Sequence, residues 1–181
     1  MRSVLTVILA LMTVSYPVAV YFSLEHFSPR LWGALLAGLF ALRLLLQRKK
    51  NTSEIARWSS LTALVAAAWM LAGNSPLAMR SYPVLVSATL AAVFGFSLRY
   101  PPTIIERLAR LQDPQLPIEA ILYTRKVTYW WLGFFIINGS ISAYTAYWGT
   151  LEQWTLYNGL ISYGLMGSLF AVEWLIRQVV M

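Results

Sequence analysis

The chain has 181 residues, of which 59% are hydrophobic and 12% charged, far below the roughly 25% charge of an ordinary soluble domain. That composition argues against a water-soluble globule, and the length holds several apolar stretches of about 20 residues, each able to cross roughly 30 Å of hydrocarbon. There is no cysteine and one histidine, His26, which argues against disulfides, thiolate chemistry, iron–sulfur clusters and paired-imidazole metal sites, so neither metal nor cofactor is expected. The net charge of +7 could neutralise nucleic-acid phosphates. Its distribution follows the ends of apolar stretches instead, and no nucleic-acid partner is expected.

Along the chain, the first apolar stretch covers 4–23, behind Arg2. It exceeds the roughly 7–15 residues of a signal-peptide core, Pro17 interrupts its far end and no small-x-small cleavage site follows, so a retained helix is expected. The second covers 31–47, closed by Arg48, Lys49 and Lys50, with Arg43 able to snorkel from one turn inside. The third covers 58–73 and precedes the turn-forming Asn74-Ser75-Pro76; the fourth covers 82–98. The fifth, 127–148, and the sixth, 156–176, are joined by Gly149-Thr150-Leu151-Glu152-Gln153, a spacing that predicts a helical hairpin.

With the N-terminus inside, Arg2, Arg43, Arg48, Lys49, Lys50, Arg57, Arg99, Arg107, Arg110, Arg125, Lys126 and Arg177 fall on the cytoplasmic side, and Arg30 and Arg80 outside. Lys and Arg near span ends favour that side, so both termini are expected in the cytoplasm. Trp32, Trp58, Trp130, Trp131, Trp148, Trp154 and Trp174 fall near the expected boundaries and Trp69 deeper, as interfacial aromatics do. The expected fold is all-α: one polytopic membrane domain over 1–181 with about six transmembrane helices and a cytoplasmic amphipathic interfacial helix.

That interfacial segment is read at 102–124. Thr103-Ile104-Ile105-Glu106 has the form of a capping box. Ile104, Ile105, Leu108 and Leu111 share one helical face, and Glu106, Arg107 and Arg110 the other. Such a helix would lie along the membrane surface. Asp113-Pro114 and Leu116-Pro117 end it, before a short helical turn over 118–124. Arg107, Arg110, Arg125 and Lys126 are the candidates for binding anionic lipid headgroups.

Membrane enzymes need grouped ionisable side chains. Of the seven acids, Glu25, Glu54, Glu106, Asp113, Glu119 and Glu152 fall in connections. Neither a zincin motif nor a phosphate loop nor a nucleophile elbow is present, so no catalytic residue is expected. Glu173 falls inside the last span, four residues before Arg177, and an ion pair between them is expected. Asn138, Ser142 and Thr145 share a helical face, and Asn158, Ser162 and Ser168 lie on the sixth span. Asn138, Ser142 and Asn158, with Glu173 and Arg177, are candidates for helix–helix contact or a polar cavity. Gly164, Gly167, Ser168 and Ala171 form a stripe along which another helix could approach. His26, beside Glu25, is read as a solvated loop residue.

The run Trp131-Leu132-Gly133-Phe134-Phe135-Ile136-Ile137-Asn138-Gly139, with Tyr144, Ala146, Trp148 and Trp154 and the upstream Pro102, Ile105 and Arg107, resembles the inner-membrane septation protein A family over roughly residues 100 to 176. Ser142 and Asn158 depart from its pattern, which has asparagine and lysine there. The segment from Ile105 to Gln112, with Asn138-Gly139-Ser140 and Tyr157-Asn158-Gly159, is similar to an uncharacterised bacterial multi-pass membrane family whose genes stand beside aryl polyene or fatty-acid-like biosynthesis genes. Both resemblances imply the bacterial inner membrane and an envelope role. The expected function is a non-enzymatic accessory protein of cell-envelope biogenesis or membrane homeostasis, with the lipid bilayer, anionic lipids and other envelope-biogenesis membrane proteins as partners. The alternative is a small transporter or flippase for a lipid-linked or polyene intermediate, which needs an open polar pocket at Asn138 and Ser142. An acyl or glycosyl transferase is the weakest reading.

Overall fold

The computed structural model describes residues 75–180 continuously and a scatter of helical positions in 30–41 and 64–73. The expected span at 4–23 and His26 lie outside the described residues, and the spans at 31–47 and 58–73 are described only in part.

The Asn74-Ser75-Pro76 signal becomes a helix start. Ser75 Oγ accepts the Ala78 N–H at 3.3 Å, and Pro76 takes a first-turn position where no N–H is needed. The short helix α1 (Pro76–Arg80) turns through Ser81 into α2 (Tyr82–Arg99). Pro101 and Pro102 follow and cannot continue it. Thr103 then caps α3 (Ile104–Ala109), its hydroxyl accepting the Glu106 N–H at 3.3 Å. Beyond Pro114 and Pro117 comes α4 (Ile118–Tyr147), an unbroken helix of 30 residues, about 45 Å long at 1.5 Å per residue. Thr150 and Gln153 close a full capping box, at 3.2 and 3.0 Å, on α5 (Leu151–Leu156). A π-turn (Tyr157–Ile161) joins α5 to α6 (Ser162–Val180).

The long helices alternate in direction. Ser87 and Phe94 of α2 meet Asn138 and Phe135 of α4; Asn138, Trp131 and Tyr123 of α4 meet Tyr157, Phe170 and Glu173 in turn. The hairpin across residues 148–150 thus forms, with α4 central. One core, of Ala78, Met79, Tyr82, Ala146 and Trp154 with Ala67, sits at the hairpin end. The other, of Val93, Phe94, Ile104, Val127, Trp131 and Phe135, sits towards the α3 end.

The expectation of about six transmembrane helices is corrected. Among the described residues two helices are long and apolar enough to cross a membrane, Pro76–Arg99 and Leu151–Gln178. They contain the expected fourth and sixth spans. The expected fifth span lies in α4, whose tyrosines, tryptophans, Asn138 and serines dilute its aliphatic content. It is not one of the two.

Within the interfacial segment at 102–124, α3 ends at Ala109, ahead of Asp113-Pro114, and the helical turn expected over 118–124 is the first part of α4. The placing of Glu106 on the outer face is corrected. Ile104 is buried against α2 and α4 while Leu111 is 81% exposed, and Glu106, expected on the outer face, is 6% exposed. Its carboxylate accepts Nε and Nη2 of Arg110 at 3.0 and 2.8 Å. A buried carboxylate is tolerated when a charged partner satisfies it.

At the hairpin, space rather than backbone conformation demands glycine. A Cβ on Gly149 would meet the Thr145 carbonyl oxygen at 2.8 Å and Thr145 Cα at 3.0 Å, backbone atoms that cannot swing aside. Gly149→Ala is expected to cost about 1–3 kcal/mol, read as a lower midpoint of detergent-micelle unfolding titrated with SDS.

Candidate functional site

Four of the polar residues singled out in the sequence, Asn138, Ser142, Thr145 and Asn158, converge where α2, α4 and the π-turn meet. Asn138 Nδ2 donates to Ser87 Oγ at 3.1 Å, and Asn138 Oδ1 accepts the Tyr157 hydroxyl at 3.1 Å. One turn further along α4, Ser142 Oγ donates to Asn158 Oδ1 at 2.7 Å. Asn158 Nδ2 donates to the Trp154 carbonyl at 2.9 Å and to Thr145 Oγ1 at 3.3 Å. All six side chains, Ser87, Asn138, Ser142, Thr145, Tyr157 and Asn158, are buried.

Local structure makes this layer possible. A Cβ on Gly139 would lie 3.0 Å from Ser87 Cβ, so its absence lets α2 come close enough for Ser87 to reach Asn138. In the π-turn, the Ser162 N–H reaches back five residues to the Tyr157 carbonyl. One-turn π segments occur often at functional sites; here Tyr157 and Asn158 both face α4. The amide groups of Asn138 and Asn158 spend both donor and acceptor atoms on neighbours, so the layer acts as a clasp between helices. Asn158→Leu removes the partner of Ser142 and one partner of Thr145. Since interhelical hydrogen bonds in membranes contribute about 0.6 to 2 kcal/mol each, a loss of roughly 2 kcal/mol is expected by the same SDS titration.

Ser87 and Tyr157 were missed as members of this layer. Ser87 is a lone hydroxyl in an apolar stretch and carries no signal of its own. Tyr157 adjoins the flagged Asn158, and its approach depends on the π-turn. Arg80, read from the sequence as one of two outside cations, holds the far end of α4: Nη2 donates to the carbonyls of Thr145, Gly149, at 2.6 Å, and Thr150.

The headgroup candidates are divided. Arg125 and Lys126 project from the first third of α4 and are exposed. Arg110 is paired with Glu106 and also donates to the Pro114 carbonyl at 3.2 Å, and Arg107 Nε donates to the Pro102 carbonyl at 2.8 Å. Glu173 and Arg177 approach at 3.9 Å, the outer limit of an ion pair. The Tyr123 hydroxyl meets Glu173 through its carbonyl at 3.3 Å and its carboxylate at 3.5 Å. Burial first, and then the Glu173 charge, push the Tyr123 phenol up from its ordinary pKa, so it stays protonated as a donor at neutral pH. The stripe of Gly164, Gly167, Ser168 and Ala171 is exposed, and space is open beside Gly164 and Gly167; no described helix uses it.

The tryptophans divide too. Trp130, Trp148 and Trp174 are exposed, whereas Trp131 and Trp154 are buried packing residues. Of the residues that carry the septation protein A resemblance, Trp131, Phe135, Asn138, Ala146 and Trp154 are buried. No family model, curated protein or solved structure matches this chain, and the resemblance rests on those residues alone.

Proposed function

We propose that this chain is a non-enzymatic accessory protein of the bacterial inner membrane, serving cell-envelope biogenesis or membrane homeostasis in a pathway with lipid-like or aryl polyene products. The membrane reading is carried by the thin cover over the two long apolar helices among the described residues: 39% of the Pro76–Arg99 window is buried, and 6% of the Leu151–Gln178 window. A soluble protein's core helix is mostly buried, and a signal sequence stands near the N-terminus; neither description fits this pair. Leu165, Phe170, Val172, Trp174 and Leu175 are exposed along α6. In water such a continuous apolar surface invites association, whereas hydrocarbon accepts it.

Charge supports an orientation. Of the seven Lys and Arg residues between 75 and 180, Arg99, Arg107, Arg110, Arg125, Lys126 and Arg177 gather at the α3 end, and Arg80 at the other. The α3 end therefore faces the cytoplasm, where Arg125 and Lys126 meet anionic headgroups. Arg107 and Arg110 add less, because internal acceptors already engage them. Within the envelope, the accessory role is favoured over the transporter because Asn138, Ser142 and Asn158 bond within the clasp. Its client pathway is read from the two family resemblances.

Alkaline carbonate should leave the chain in the membrane pellet. A topology reporter after Met181 should score as cytoplasmic, and one inserted at Thr150, before Leu151–Gln178, as external. Extraction by carbonate, or the same side for Thr150 and Met181, would overturn the reading.

A further inference from the structure

An open-sided cavity of about 570 Å³ lies at the hairpin end, lined among the described residues by Val65, Ala68, Trp69 and Ala72 on one side and by Ser81, Val84, Leu85 and Tyr147 on the other. Its chemistry is almost wholly apolar. The Ser81 hydroxyl already donates to the Leu77 carbonyl at 2.7 Å, so a ligand that needs hydrogen bonds finds little there. The charge of Arg80 beside it is turned onto the end of α4.

Size decides among apolar occupants. A helix about 10 Å across fills roughly 400 Å³ in each turn of about 5.4 Å, so the cavity would take little more than one turn of a second chain. The same space holds on the order of 20 methylene-sized groups at about 30 Å³ each, which suits one flexible hydrocarbon chain. The exposed Val65, Trp69 and Tyr147 on its lining open it sideways, towards the medium that α2 and α6 meet in a bilayer.

We propose that this groove seats a single acyl chain of a lipid, held by burial of its methylenes against α2 and the helical residues of 64–73. The assignment rests on the bilayer reading, since the bilayer supplies the chain. It goes beyond that reading by making this a defined site rather than part of a general lipid annulus.

Trp69 supplies a local reporter. The full chain in phosphatidylcholine vesicles, titrated with dibromostearic acid, should lose tryptophan fluorescence in a saturable component that is absent from Trp69→Phe and reversed by unbrominated stearic acid. Ala72→Phe, which fills the groove, should weaken that component about tenfold through lost methylene burial, and the milder Ala68→Leu should act in the same direction. Trp174, exposed on α6, should give only the gradual quenching of annular lipid. A Trp69 component that rises without saturation, like that of Trp174, overturns the site, as does undiminished saturation in a folded Ala72→Phe or Ala68→Leu chain. Saturable quenching in a chain that carbonate extracts would sink the bilayer reading and leave the groove standing. A bilayer-resident chain without saturation would sink the groove alone.

Discussion

Arg80→Met is expected to lower the unfolding free energy by about 3 kcal/mol, because it removes the cation that ends α4. The last carbonyls of a helix have no partner within it. Here the guanidinium collects the carbonyl of Thr145, in the last turn of α4, and those of Gly149 and Thr150 just beyond it, the latter two at 2.6 and 3.4 Å, and sets a positive charge at the negative end of the helix dipole. Methionine keeps much of the apolar stem but supplies no donor. The Arg80 carbonyl still accepts Trp154 Nε1 at 3.0 Å, so α5 keeps its anchor and the loss stays local. Arg80→Lys should recover part of it, since all three carbonyls are met by the one nitrogen Nη2 and an ammonium, though on a shorter stem, also donates from one nitrogen. SDS titration in mixed micelles reads the difference; a loss below about 1 kcal/mol would mean that solvent replaces the guanidinium at these carbonyls. This role also accounts for a cation at the end of the molecule that holds few: Arg80 is committed to backbone.

Trp131→Ala is expected to cost about 3–5 kcal/mol, because truncating a buried indole removes its burial and leaves a cavity. The indole is 4% exposed. Its ring centroid lies 4.4 Å from that of Phe170, 5.7 Å from Phe135 and 5.8 Å from Phe134. With so little of Leu151–Gln178 covered, the Trp131–Phe170 contact is one of the few that hold α6 against α4. Amide exchange should therefore quicken along α6 more than along α2 in the variant. Equal quickening in both helices would point to global destabilisation instead. Trp131→Phe, which keeps an aromatic ring, should lose less.

Much of the candidate site was legible before any coordinates. Residues 138, 142 and 145 share a helical face by spacing alone, and Asn158 sits across a short hairpin from them. A polar side chain in an apolar helix finds few partners but another helix, so their convergence follows from periodicity. Ser87 carried no such signal, because its use depends on the close approach that Gly139 permits. Glu106 was assigned to the outer face from its pattern on α3. The direction in which α3 docks buries it, and the Arg110 pairing makes that burial tolerable.

Composition, the spacing of apolar residues and turn chemistry determined the all-α character, the helix start at Thr103 and the hairpin, because each follows from local backbone demands that neighbouring side chains meet. Tertiary structure alone decided that α4 runs unbroken through the expected interface, that two described helices rather than six spans meet the demands of a membrane, and that Arg80 faces inward. Hydropathy sums each side chain as if it met solvent or lipid by itself. Whether a polar group meets either, or a partner on the next helix, depends on contacts far apart in the chain.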